Sequence, residues 1–301
     1  MNEMNIVCST LPFRKYDLKE ALRRLSRLGF NRVEPCMDPL HSDPGFWGDD
    51  PEEILNVFHR LKMKVNSIHV PGKEEKNLNP HHHLFRKAVI EQSVKAINTA
   101  VLCGASFIVQ HVFLMADSSD LKQEGLSKNT VPDLEEVVRY ATVKKVKVAI
   151  ENVPSSSFRM FGKSIQEMVA LLRLLPSETV GLCLDVNHCF ACGLDPMEVL
   201  TTIEVSRLIS IHASDNLSSP LADRHLPIGA GDIPWERMLK DLRALAFQGS
   251  FIIEVLDEKA LIDSINYLRS LNVQDLAISI PASNPNWDLN SIKGCERRRQ
   301  T

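Results

Sequence analysis

The segment TVGLCLDVNHCFACGLDPMEVL, residues 179–200, decides how the rest of the chain is read. A short apolar, β-prone run over 179–185 ends in Asp185, His188 follows three positions on, and Asp195 and Pro196 open a helix-period stretch over 195–205. Proline just inside a helix start is a start signal, because the N–H it lacks would have no intrahelical partner there. The segment therefore reads as strand, polar turn and helix. Asp185, at the end of the strand, has two readings. Its carboxylate can cap the N–H groups of a following helix, or it can offer oxygens to a metal ion together with His188. The neighbours that the fold brings to it decide between them.

The same unit recurs along the chain. β-prone runs lie at about 4–9, 31–35, 64–69, 105–111, 146–151, 179–185, 207–212 and 250–255, and helix-period segments at 17–28, 51–62, 83–103, 132–145, 164–175, 195–205, 234–247 and 257–271. Pro51 before Glu52 and Glu53, and Pro132 before Asp133, mark two further helix starts. Regular alternation predicts parallel strands joined by helical crossovers. Eight such units predict an α/β fold, a closed (β/α)8 TIM barrel in a single domain over 1–275, with an irregular C-terminal tail over 276–301. An open doubly wound sheet is the alternative. The first strand is not followed by G-x-G-x-x-G or by a P-loop, so the phosphate-cradling backbone of dinucleotide and nucleotide folds is missing.

Composition narrows the function classes. The 301 residues are 44% hydrophobic and 24% charged, with a net charge of −3, which leaves no electrostatic footprint for nucleic acid. No stretch approaches the roughly 20 apolar residues of a membrane span, and the N-terminus lacks a secretory signal pattern. The seven cysteines, Cys8, Cys36, Cys103, Cys183, Cys189, Cys192 and Cys295, are odd in number and sit mostly in apolar runs, as in a reducing compartment. A cytoplasmic protein is expected. The single C-x-x-C of Cys189 and Cys192 is a weak redox or zinc signal, and the triplet His81-His82-His83 reads as a solvated helix start.

In a parallel barrel the C-terminal strand ends meet at one face. Those ends carry Glu34, His69, His111, Glu151, Asp185 with His188 beyond it, His212 and Glu254, and the loop after the seventh strand adds Asp223 and His225. Singly, each is an ordinary structural histidine or helix-capping acid. Several carboxylates converging on one partly dehydrated rim repel one another unless a cation holds them. Imidazole and carboxylate together are ligand types of zinc, manganese and related divalent ions.

The motifs IENVP (150–154), LDVNH (184–188), IHASD (211–215), DRHLPIGAGDI (223–233) and IIEV (252–255), in this order, resemble the xylose-isomerase-like TIM-barrel superfamily, over about residues 4 to 272. That superfamily contains sugar phosphate isomerases and epimerases as well as endonuclease IV. The resemblance implies one divalent metal on Glu151, Asp185, His212 and Glu254. In its nuclease branch nine ligands hold three zinc ions, which adds His69, His111, His188, Asp223 and His225.

Two enzymes follow from this set. The first is a metal-dependent isomerase or epimerase of a small sugar, keto-sugar or polyol, phosphorylated or not, in which Glu151 and Glu254 exchange a proton with carbon through an enediolate. Manganese, zinc, cobalt and magnesium all suit its donors. His69, His111, His188 and His225 then contact substrate; Arg159 is a candidate anion contact or a solvated loop residue, and Trp47 and Phe46 either wall the pocket or pack under a loop. The second is a multi-zinc phosphodiesterase of the endonuclease IV type, against which the acidic balance counts. A sugar-binding or regulatory barrel without turnover is a third reading. The expected partner is a small carbohydrate, with neither membrane nor nucleic acid, and homo-oligomerisation is expected by analogy. The polar approach KEEKNLNPHHH (73–83) is a candidate lid.

Overall fold

The computed structural model describes residues 4–37, 51–71, 83–113, 131–154, 161–219, 222–271 and 278–279. In chain order the strands are β1 (Met4–Ser9), β2 (Arg32–Glu34), β3 (Lys64–Val65), β4 (Ser67–His69), β5 (Phe107–His111), β6 (Lys147–Glu151), β7 (Val180–Asp185), β8 (Leu208–Ala213), β9 (Ser250–Ile253) and β10 (Ile278–Ser279). The helices are α1 (Leu18–Arg27), α2 (Pro51–Leu61), α3 (His83–Cys103), α4 (Pro132–Lys144), α5 (Ile165–Leu174), α6 (Val186–Ala191), α7 (Pro196–Thr202), α8 (Trp235–Ala244) and α9 (Glu258–Ser270).

All strand pairings are parallel, in the order β3-β2-β1-β9-β8-β7-β6-β5-β4, with β10 added to the foot of β1. β3 and β4 are two halves of one run interrupted at Asn66, so the path ends where it began. The backbone N–H of His69 donates to Pro35 on one side, and that of Val70 donates to Val109 on the other. This closes the ring, as a (β/α)8 barrel requires and an open sheet does not.

Helices α1 and α8 each carry one apolar stripe for the barrel wall. In α1, Leu18, Ala21, Leu22 and Leu25 are buried, and in α8 Trp235, Met238, Leu239 and Leu242, both at the i, i+3, i+4, i+7 spacing. Asp17, Ser164 and Asp257 accept from backbone N–H groups in the first turns of α1, α5 and α9, each contributing about 1 kcal/mol.

Five details depart from the sequence expectation: β10 lies within the stretch read as an irregular tail, and four more concern the barrel itself. The strand over 64–69 is broken at Asn66; the helix over 195–205 stops at Thr202, before a 3-10 turn over Val205–Arg207; the strand over 250–255 stops at Ile253, leaving Glu254 just past it; and α6 is an additional helix. Trp47, Phe46, Arg159, His81, His82, the segment 73–82 and the tail beyond 279 lie outside the described residues. Among the described residues no helix is long and apolar enough to cross a membrane.

Candidate metal centre

Residues two apart on a strand share a face. Inside the barrel, Val7, Phe107, Val109, Ala149, Cys183 and Ile252 form a small apolar cluster of their own, separate from the larger core between strands and helices. Two residues on from Val109, Ala149, Cys183, Ser210 and Ile252 stand His111, Glu151, Asp185, His212 and Glu254. The same inward face therefore turns from apolar to polar one layer higher. Parallel register sets His111 level with Glu151 and Asp185 level with His212. Glu34, His69, Glu151, Asp185, His188, His212 and Glu254 are all buried.

Glu151 stands at the middle of the cluster. Its Oε2 meets Nε2 of His69 at 3.2 Å and Nε2 of His111 at 3.0 Å. Its Oε1 faces Nδ1 of His188 at 3.3 Å and Nδ1 of His212 at 3.4 Å. His212 is further flanked by Glu254 Oε2, 2.7 Å from Nδ1, and Glu34 Oε1, 3.0 Å from Nε2. At the rim, Asp223 lies 3.2 Å from Nε2 of His225 and 3.7 Å from Nε2 of His188, and its side chain is 47% exposed.

The two oxygens of Asp185 differ in their surroundings. Oδ1 accepts from the backbone N–H of His188 and caps α6. Oδ2 is buried and has no hydrogen-bond partner, and Asp185 is a member of the donor cluster. Capping and metal ligation are thus compatible in one side chain.

Three residues that the sequence reading left without a role hold this arrangement. Asn152 donates its amide to the Asp185 carbonyl at 2.9 Å and accepts from the Asp185 N–H at 2.8 Å, tying β6 to β7 where the ligands leave them. Asp215 accepts from the N–H groups of Asn216, Gly229 and Ile233 and from the Trp235 indole, and so anchors the loop that carries Asp223 and His225. A Cβ on Gly231 would stand 2.4 Å from Asp215 Oδ1, which explains the second glycine of G-A-G. Glu34 is the third. Its signal in the sequence was its place at the end of the second strand.

Burial and charge compete strongly here. Burial alone would lower His69, yet its bond to Glu151 and the charges of Glu151, Glu254 and Glu34 raise it to about 9. His212 is raised well above its usual value against burial by Cys183, Glu254, Glu34 and Glu151. Asp185 is pushed up to about 6, chiefly by burial, with Glu151 and Glu254 adding to it against His188 and His225. Glu254 falls to about 2, because His212 and His69 outweigh its burial.

Four overlapping groups of side chains could hold a divalent ion: Glu151, Asp185, His212 and Glu254; His69, His111 and Glu151; Asp185, His188 and His225; and His69, His212 and Glu254. In each, ligand atoms lie within 4.8 Å of one another. The donors fit a metal. Asp185 Oδ2 and Nδ1 of His212 are buried with no in-line hydrogen-bond partner, a costly state that an ion would relieve. Glu151, Asp185, Glu254, His69 and His212 each belong to two of the groups.

With this geometry in view, the likeness to known proteins becomes informative. The family model described as "Xylose isomerase-like TIM barrel" matches residues 22–271. A probable endonuclease 4 of Aquifex aeolicus is 27% identical over 213 residues, 65% of this chain and 74% of that protein. Among solved structures, a D-tagatose 3-epimerase-like protein superposes with a TM-score of 0.72 at 21% identity, covering 88% of this chain and 96% of that one. The IolI protein, solved with a bound zinc atom, superposes with a TM-score of 0.66 at 18% identity, covering 91% and 98%. At such identities these structures share the fold. The extent of the family match, over most of the chain, makes this protein a member of the xylose isomerase-like TIM barrel family.

Proposed function

We propose that the protein is a divalent-metal enzyme that hydrolyses phosphoester bonds at a multinuclear centre. The observation that carries this reading is that the donors form four overlapping groups, spread over more residues than one ion can use. The nine positions His69, His111, Glu151, Asp185, His188, His212, Asp223, His225 and Glu254 supply more ligands than one ion uses. A likeness to endonuclease 4 sequences supports the same reading. Ions in such a centre acidify water and screen phosphate charge.

The chain's own residues do the rest. The apolar layer of Val109, Ala149, Cys183 and Ile252 closes the floor, so electrostatic interactions above it act in a dry environment. Asn152 fixes the Asp185 backbone, and Asp215 fixes the loop that brings Asp223 and His225 over the rim. Asp223, half exposed, is where solvent and substrate reach the cluster. The net charge of −3 favours a phosphoester whose recognition does not need a broad basic face.

Isomerisation or epimerisation of a small sugar is the second reading. It is favoured by the self-sufficient buried group of Glu151, Asp185, His212 and Glu254, whose two glutamates come from different strands and could exchange a proton with a substrate carbon. The metal content of purified protein separates the readings. Two or three ions per chain, with cleavage of a phosphodiester probe or an abasic-site duplex, support hydrolysis. One ion per chain, with solvent deuterium entering a ketose, supports the isomerase.

A further inference from the structure

We infer that Glu34 is a positioning residue that dictates which nitrogen His212 turns toward the centre; the inference depends on the metal-centre reading above. Three other imidazoles of the cluster are oriented by acceptors behind them. Nδ1 of His69 lies 2.8 Å from the Val70 carbonyl; Nδ1 of His188 lies 2.9 Å from the Asn152 carbonyl, with Glu151 Oε1 at 3.3 Å; and Nδ1 of His225 lies 3.1 Å from the Glu254 carbonyl and from the Ser214 hydroxyl, which can accept as well. A carbonyl can only accept, so it holds the proton on Nδ1 and leaves the Nε2 lone pair free.

His212 is turned the other way. Its Nδ1 faces Glu254 and Glu151, and its Nε2 faces Glu34 Oε1 at 3.0 Å. Both atoms of that last contact are buried and neither has an in-line hydrogen-bond partner, so each is the nearest complement of the other. A small ring rotation completes the bond. The proton then sits on Nε2, and Nδ1 is left as the ligand atom. A carboxylate in this place also raises the basicity of the imidazole, which a carbonyl does less well.

Glu34 is itself propped. Its Oε2 accepts from Ser67 Oγ at 2.5 Å, Ser67 Oγ accepts from Asn66 Nδ2 at 3.1 Å, and Asn66 Oδ1 accepts from Ser250 Oγ at 3.0 Å. The break between β3 and β4 at Asn66 thus supplies the support beneath the carboxylate. Four elements of the barrel, β2, β4, β8 and β9, are linked through this one column.

The test uses full-length protein labelled with 15N-histidine and loaded with zinc, with His212 assigned by its loss in His212→Gln. Long-range proton–nitrogen correlation should find His212 protonated on Nε2 and zinc-bound through Nδ1, the reverse of His69, His188 and His225. Competition against a chelating dye should find one ion bound roughly 10-fold more weakly in Glu34→Gln, which keeps an acceptor, and up to roughly 100-fold more weakly in Glu34→Leu. If the leucine variant does not fold, the isosteric glutamine carries the measurement. A merely structural role would lower the melting temperature while ion affinity and the His212 pattern stayed as in wild type, and that result overturns the proposal. Zinc bound through Nε2 of His212 in wild type overturns it as well. Wild type that takes up no ion rejects the metal centre itself, and the role of Glu34 with it.

Discussion

Nδ1 of His212 stands 2.7 Å from Oε2 of Glu254, with the imidazole fully buried and the carboxylate nearly so. With the imidazole protonated the contact is a buried ion pair, and both residues belong to the same group of donors close enough to share an ion. Replacing Glu254 by Gln should reduce turnover by at least roughly 100-fold, whether the carboxylate holds an ion or moves a proton. Stability should change only modestly, because Glu34 and Glu151 still flank His212 while repulsion among the buried carboxylates is eased. Steady-state kinetics alongside thermal melting checks this; a variant with wild-type turnover would remove Glu254 from the chemistry.

Metal uptake should release protons. In the metal-free protein His69 and His225 are raised to about 9, and His188 and His212 are raised too, so these rings are protonated at neutral pH and must lose a proton to become ligands. Ion affinity should therefore climb with pH up to about 9, and calorimetry at pH 7 in buffers of different ionisation enthalpy should report net proton release.

Stability of the metal-free protein should follow the opposite course. A histidine whose folded value lies above its unfolded one contributes stability that is fully present below about 6.5 and is lost as pH rises through the folded value. For His69 and His225 that loss is centred near 9. The metal-free melting temperature should fall between pH 7 and 9.5, whereas protein held at saturating zinc should not follow it.

Asn152→Ala should weaken ion binding without removing any ligand. It leaves the buried N–H and C=O of Asp185 without their side-chain partner, a cost of roughly 2–4 kcal/mol. Gly162→Ala should act in the same direction, since its φ is +106° and an added Cβ would stand 2.3 Å from Cβ of Asn152. Denaturant titration and zinc content of both variants are the measurements; full zinc content in both would contradict the role given to Asn152.

Asp215→Ala should release the loop over 223–233. Four donors lose their shared carboxylate, three of them in buried hydrogen bonds, so destabilisation of about 3–5 kcal/mol is expected. Hydrogen exchange should speed up selectively at Gly229 and Ile233. Unchanged protection there would show that other contacts hold the loop.

The strand–helix alternation was legible in the chain because hydrophobic period and start signals are local, and both survive folding. Pro196 after Asp195 begins α7 as read, and Asp185 ends β7 as read. The inward layer of donors was legible as strand ends, since parallel topology forces those ends together. Asn66, by contrast, carried no local sign that it would break the third strand, because the break follows from pairing with β2 on one side and β5 on the other.

The order of residues by itself determined the architecture and the chemical types gathered at one rim, because period and strand direction are properties of the chain. Only the tertiary structure decided that Asp185 caps a helix with one oxygen and leaves the other buried without a partner, that Glu151 touches four imidazoles, and that Glu34 stands behind His212. Each of these depends on distances across the barrel between segments far apart in sequence, and such distances are set by closure and register, which no single segment encodes.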